Sequence, residues 1–382
     1  MITADLDPLR SRLAAIGRPH TPADVAAAMR AEGQLVTDST LLETVEALRR
    51  HSVGAGLLEP LLRQPGVTDV LVNGPRQVYV DRGAGLELTG ITFGADEEVR
   101  RLAQRLAASV GRRLDDAVPF VDTRLPDGTR VHAVLATLAA PGTCLSLRVP
   151  AKRSFSLDDC VASGSLTPVG ADVLRRLVEG KLAFLVTGGT GSGKTTLLSA
   201  LLGLVPASER IVIVEDSREL APDHPHVVRL EGRPANAELT GAVTLTQLVR
   251  QSLRMRPDRL VVGEVRGAEI CDLLTAMNTG HEGGCGTVHA NSAADVPARL
   301  EALAALGQLG RDALHAQLAS ALHAVIHITR DDAGRRRIKE VHVLVRDQGT
   351  GLVHTETALE FEVDGRTRVG AGAARLEVLL SR

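Results

Sequence analysis

Residues Gly188-Gly189-Thr190-Gly191-Ser192-Gly193-Lys194-Thr195 spell G-x-x-x-x-G-K-[ST], with Thr196 next. Glycines in this pattern let backbone N–H groups turn inward on a polyphosphate. A helix opening at the lysine adds the positive end of its dipole. Lys194 can then reach the β- and γ-phosphates, and the Thr195 hydroxyl can ligate Mg²⁺. The apolar run Leu182-Ala183-Phe184-Leu185-Val186 precedes the loop, and Leu197-Leu198-Ser199-Ala200-Leu201-Leu202 follows it. Strand, glycine loop and helix are the context this motif requires. The eight residues predict a nucleotide triphosphate site.

Two apolar runs end in acids. Ile211-Val212-Ile213-Val214 leads into Glu215 and Asp216, and Leu260-Val261-Val262-Gly263 leads into Glu264. In open α/β sheets ligands bind beyond the carboxyl ends of strands, which would aim these carboxylates at the phosphates. Glu264 stands where P-loop enzymes place the acid facing Mg²⁺ and water. It is therefore read as a water-mediated metal contact or a general base. Glu215 is the other candidate base, and spacing leaves the choice open.

His281 and His289 flank a bend containing Gly283, Gly284 and Gly286. A mobile bend would return both imidazoles toward the γ-phosphate, where a neutral histidine can donate to developing charge. A zinc set of His281, Cys285 and His289, with Cys271 as a further ligand, matches no structural zinc spacing. Arg130 and Arg148 lie beside strand-like runs upstream. Guanidinium groups supplied from another domain or subunit can stabilise γ-phosphate charge; surface salt bridging is the alternative.

The elements that must hold these residues follow from patterning. At 382 residues the chain exceeds what one core usually holds. Residues 1–50 read as a helical extension, with apolar Leu9, Leu13 and Ile16, then Leu41, Leu42, Val45 and Leu48. Pro19 and Pro22 break its two stretches. Residues 51–150 read as an α+β domain of short strands, with one helix over 97–110. Residues 151–180 give a polar linker and a first helix over 169–179. Over 181–382 strands are expected at 182–187, 210–215 and 259–264, and helices at 194–204, 244–254 and 267–278. That alternation predicts an α/β fold, a parallel sheet covered on both faces in the RecA-like manner. Two more helices follow, then antiparallel strands at 324–328, 338–345 and 358–363.

Composition excludes some classes. A net charge of −2 gives no global attraction to nucleic acid or anionic lipid. Aromatics are 2% of the chain with no Trp, which removes the usual stacking platforms for single strands. Four scattered cysteines and no signal peptide fit a reducing cytosol. No apolar stretch approaches the ~18–20 residues of a membrane span.

Together the motifs resemble the type II and type IV secretion ATPase superfamily, and within it the Tad/Flp-pilus and conjugal-transfer branch. The likeness runs from about Val67 to Ile328. Val67-Thr68-Asp69-Val70-Leu71-Val72-Asn73-Gly74-Pro75 resembles the family's N-terminal signature. Ile213-Val214-Glu215-Asp216 resembles its Asp box, Gly263-Glu264 its Walker B, and 281–289 its His box. The resemblance implies a Mg²⁺-dependent ATPase working as a hexameric ring, with ATP between the N-terminal domain and the RecA-like core. Arg130 and Arg148 would reach the nucleotide from the N-terminal domain, with Arg124 a weaker candidate. It also implies inner-membrane platform proteins as partners and a cytoplasmic, peripheral location at the membrane's inner face. The role expected is a motor for Tad/Flp-type pilus assembly or related secretion. A nucleotide-dependent scaffold and a conjugative DNA translocase are the alternatives. The four-cysteine zinc module of many relatives is absent, and no direct nucleic-acid contact is expected.

Overall fold

The computed structural model describes residues 9, 12–13, 21–34, 36–42, 44–45, 54–83, 85–150, 155–233, 235, 240–331 and 334–381. Ile16, Pro19 and Leu48 of the expected extension, and residues 151–154 of the expected linker, lie outside them. The chain divides into two units, Met1–Ala151 and Lys152–Arg382.

In the first unit, Thr21 caps a helix over Pro22–Ala31. The Thr21 side chain accepts from Asp24 N, and the Asp24 carboxylate accepts from Thr21 N at 2.7 Å. Pro22 was expected to break a helix and instead starts one. The first helical position needs no N–H partner, and proline's fixed φ suits it. Leu9, Leu13, Val25, Ala28 and Met29 are buried together.

This unit also holds an antiparallel sheet of six strands in the order β3-β2-β1-β6-β5-β4. These are β1 (Asp69–Asn73), β2 (Val78–Asp81), β3 (Leu86–Leu88), β4 (Phe120–Arg124), β5 (Arg130–Val134) and β6 (Cys144–Arg148). Strict alternation turns Val70, Val72, Val78, Val80, Val131, Ala133, Leu145 and Leu147 inward. Val99, Leu102 and Leu106 of the helix Asp96–Ala108 meet them in one core. Burying each such side chain contributes about 1.5–3 kcal/mol before entropy is counted.

The second unit opens with a short helix, Leu157–Ala162, where a polar linker was expected. Ser156 and Asp159 form a reciprocal cap, and Leu157 and Cys160 are buried. Its sheet has nine strands in the order β15-β14-β13-β12-β7-β11-β10-β8-β9. These are β7 (Phe184–Gly188), β8 (Ile211–Glu215), β9 (Val227–Glu231), β10 (Arg259–Val265), β11 (Cys285–Val288), β12 (Ala324–Arg330), β13 (Arg336–Arg346), β14 (Val353–Phe361) and β15 (Thr367–Val369). From β12 to β9 all neighbours are parallel. From β12 to β15 they are antiparallel. Residues 324–328 were expected to be antiparallel, yet β12 runs parallel to β7 on one side and antiparallel to β13 on the other. Helices Pro168–Glu179 and Lys194–Leu202 pack on one face. Helices Leu245–Ser252, Glu269–Met277, Val296–Leu306 and Arg311–Ala321 cover the opposite face. The fold is α/β and RecA-like.

The bend expected at 283–286 is a packing site. Cys285–Val288 is a fully buried central strand. Gly283 has φ +68°, and a Cβ there would lie 2.1 Å from Arg259 Nη1. Glycine leaves room for a large buried cation rather than conferring motion. Arg259, 2% exposed, donates to Glu209 at 2.6 Å and to the Val178 carbonyl at 3.0 Å. Glu209 also holds Lys181 at 3.0 Å. Removing one partner of a buried pair strands the other, so Arg259→Ala is expected to cost about 3–5 kcal/mol in urea unfolding. A loss below about 1 kcal/mol would contradict this role for Arg259.

Candidate functional site

The phosphate loop is shaped by its neighbours. At Gly188 φ is +153°, and a Cβ would stand 2.3 Å from the Ile328 carbonyl oxygen on β12. Only glycine lets the chain turn off β7 there. The helix Lys194–Leu202 then begins at the lysine, as the motif predicts. Thr195 is half-buried in its first turn, whereas Gly189, Thr190 and Thr196 are exposed. The Ser192 hydroxyl is buried and has no hydrogen-bond partner among the described residues.

Lys194 is 7% exposed. Its Nζ donates to the Gly188 carbonyl at 3.0 Å and the Gly189 carbonyl at 2.8 Å, and lies 3.4 Å from His289 Nδ1. Burial pushes its pKa below the ordinary lysine value, against the pull of Glu264 and Glu219. An ammonium drawn out of water onto neutral acceptors is what an incoming phosphate would relieve. This fits a nucleotide phosphate.

From Lys194 the contacts run along the carboxyl ends of the strands. His289 Nε2 is 3.2 Å from Glu264 Oε1. Glu264 Oε2 accepts from Arg266 at 2.7 Å, and Arg266 Nε reaches Asp216 at 3.2 Å. A lysine can only donate, so Nδ1 of His289 must accept and its Nε2–H is left for Glu264. Burial and the Lys194 charge push the His289 pKa down, against Glu264, which favours this neutral tautomer. The Thr287 hydroxyl donates to the Gly263 carbonyl at 2.7 Å, tying β11 to β10 beside the line.

Glu215 is different in kind. It is 3% exposed, and Oε1 accepts from the backbone N–H groups of Glu219 and Leu220, both at 2.9 Å. Oε2 is buried without a partner among the described residues. Burial raises its pKa to about 6, opposed by those two N–H groups. A Cβ at position 263 would meet Glu215 Cγ at 2.5 Å, so Gly263 is the space this carboxylate occupies.

The structure separates the two histidines. His281 precedes β11 and His289 follows it, and β11 is parallel to β7. A four-residue strand spans about 13 Å, which sets them at opposite edges of the sheet. His281 is therefore not brought to the phosphate loop; its backbone N–H donates to Ala276 at 3.3 Å. Among the described residues no three ligand-type side chains gather as a metal set.

In the first unit, Arg124, Arg130 and Arg148 share one row across β4, β5 and β6. Arg130 pairs with Asp122 at 2.8 Å and Arg148 with Asp69 at 3.2 Å. Such a row of like charges is costly without those acids. Sequence reasoning missed Arg330 and Arg336. Facing each other across β12 and β13, they donate to the Gly191 carbonyl at 2.9–3.1 Å and 3.2 Å. Their place is visible only once the strand register is known; the basic run Arg335-Arg336-Arg337 was the sole hint.

Comparison with known proteins gives a consistent result. Residues 51–371 match the family described as type II/IV secretion system protein. A putative conjugal transfer protein of Mycobacterium tuberculosis is 55% identical over 321 residues, 82% of this chain and 91% of the relative. The conjugal transfer protein TrbB of Rhizobium radiobacter is 31% identical over 281 residues, 72% of this chain and 84% of the relative. The crystal structure of the ATPase DotB of Legionella pneumophila has the same fold, with a TM-score of 0.54 at 18% identity. It covers 76% of this chain and 80% of the other.

The Glu215 environment makes stability depend on pH. Below pH ~4.5 the carboxyl is protonated whether the chain is folded or unfolded, and burial costs it little. As pH rises through about 6 the unfolded form has already lost its proton, and folding then carries the desolvation cost. Between pH 4.5 and 7.5, unfolding measurements should show Glu215→Gln gaining about 2 kcal/mol relative to wild type. A flat difference would mean that Glu215 is not held out of water.

Proposed function

Because this chain belongs to the type II/IV secretion system protein family, we propose that it is an ATP-hydrolysing motor of such a system. The observation that carries the reading is the buried Lys194 ammonium, held by carbonyls of its own loop and joined through His289 to Glu264. Nucleotide phosphate takes the place of those carbonyls as the partner of Nζ. The Thr195 hydroxyl, and the Glu264 carboxylate through water, would hold Mg²⁺, which would supply positive charge to the phosphoryl oxygens.

Glu264 is the better general base. It is partly open to solvent, and the His289 N–H and the Arg266 guanidinium orient it. Glu215 is closed off under Gly263, its reachable oxygen taken by backbone N–H groups. Its role is to fix the turn after β8 that carries Asp216. His289, kept neutral, positions Glu264 without adding a second cation beside Lys194. Arg130 and Arg148 are proposed to meet the phosphates from the N-terminal unit, as the family resemblance implies; their aspartate partners would have to release them. His281 stays outside this machinery.

The resemblance also supports a hexameric ring docked on inner-membrane platform proteins from the cytoplasmic side. No helix among the described residues is long and apolar enough to cross a membrane. The motifs resemble the Tad/Flp-pilus branch, and two relatives carry conjugal-transfer names. Both fit one motor serving assembly or transfer through a membrane machine. Near-neutral charge and few aromatics disfavour direct DNA translocation.

Multiple-turnover phosphate release tests the proposal. Lys194→Ala and Glu264→Gln are each expected to lower kcat by about 100-fold or more, from the loss of phosphate binding and of the base. Wild-type turnover in both would overturn it. Negligible turnover in the wild type, with or without membrane partners, would favour a nucleotide-dependent scaffold.

A further inference from the structure

On one face of the second sheet, three buried polar atoms find no protein partner among the described residues. They are Thr187 Oγ1 on β7, His327 Nδ1 on β12 and His342 Nδ1 on β13. The three residues are 0%, 6% and 5% exposed. His327 lies opposite Thr187 in the β7–β12 register and opposite Glu340 in the β12–β13 register. His342 stands opposite Val325, two residues from His327, and strand residues two apart share a face. On that face Leu185, Val325 and Leu344 are buried together with Ala293 and Val296. The chain entering the helix Val296–Leu306 therefore covers the row.

The chemistry of the row calls for a small molecule that both donates and accepts. Glu340 Oε2 is 2.9 Å from His342 Nε2, and its Oε1 is 2.7 Å from Lys339 Nζ. The His342 hydrogen bond and Lys339 hold the Glu340 pKa down at about 2, against burial. An ionised carboxylate only accepts, so His342 donates through Nε2–H, and a neutral ring then presents Nδ1 as an acceptor. Burial pushes the His327 pKa below the usual histidine value. Lys339 and His342 act in the same direction, while Glu340 and Asp295 oppose it. A neutral His327 keeps one ring nitrogen as donor and the other as acceptor. Left dry, each of these atoms carries its full desolvation cost, whereas one water can make two to four hydrogen bonds. Among the described residues no metal set forms here, which leaves water as the matching ligand.

We propose that Thr187, His327 and His342 wall an internal hydration site, where ordered water bridges the strand carrying the phosphate loop to the antiparallel extension. The water completes the hydrogen bonding of a polar row set in an apolar core. Thr187 immediately precedes Gly188, whose carbonyl accepts from Lys194. The hydration site thus supports the strand end at which the loop begins. It stands whether or not Gly188–Thr195 binds a nucleotide, because the hydroxyl it uses is buried in the sheet face.

Crystal structures and urea unfolding of the full chain test this, with wild type, Thr187→Val and Thr187→Ser compared. Ordered water within hydrogen-bond distance of the residue 187 hydroxyl and of His327 or His342 Nδ1 is expected in wild type and Thr187→Ser. In Thr187→Val it is expected to be lost. Valine keeps the branching and nearly the shape of threonine, so the sign of the stability change separates the cases. With water on the hydroxyl, Thr187→Val should raise the unfolding equilibrium constant about tenfold. A dry, unpaired hydroxyl predicts the reverse, since valine removes its desolvation cost. A row without water in wild-type crystals, water that persists in Thr187→Val, or a valine variant at least as stable as wild type would overturn the hydration site. Should valine prevent folding, the wild-type and serine crystals decide. Water on the hydroxyl in both sustains the site, and its absence from either overturns it.

Discussion

A lysine ammonium held away from water has to be satisfied, and the second unit is organised around where Lys194 finds its partners. Nζ turns back on the carbonyls of Gly188 and Gly189 and touches His289. Burial lowers its pKa, so the charge is held at a cost that a phosphate would remove. The loop is thus preset for an anion. The acids that would work on that anion are connected to the lysine through a single imidazole.

That connection depends on strand order. The loop-bearing strand β7 and the Glu264 strand β10 are not neighbours; β11 lies between them. Its carboxyl end therefore delivers His289 between Lys194 and Glu264. Thr287 holds the two strands in register from one side, and the absence of a side chain at Gly263 admits Glu215 beneath. Glu264 and Glu215, similar in sequence as acids at strand ends, consequently have unlike environments. One is oriented and partly open to solvent, the other buried and held by backbone N–H groups. Pairs of carboxylates with environments this different commonly have different tasks.

Much of this was readable in the sequence. The loop, the Glu264 strand and the parallel alternation rest on long apolar runs and a motif whose residues each have a mechanical reason. The readings that failed share a cause. Cys285–Val288 is short and glycine-bearing, so it reads as a bend until packing against Arg259 and the neighbouring strands is known. Once it is a strand, His281 and His289 must part. Pro22 looks like a break because proline is one everywhere except the first helical turn. Arg330 and Arg336 are distant from the loop in sequence and reach it only through the register of β12 against β7 and β13. Pairing across a sheet leaves little trace in local pattern.

If His289 acts through Glu264, the two form one unit with Lys194. A double-mutant cycle on ATP hydrolysis tests it most directly, with His289→Ala, Glu264→Gln and the pair compared under multiple turnover. If the imidazole works by orienting the carboxylate, the pair should turn over no more slowly than the slower single variant. Losses that multiply would show that His289 and Glu264 act independently.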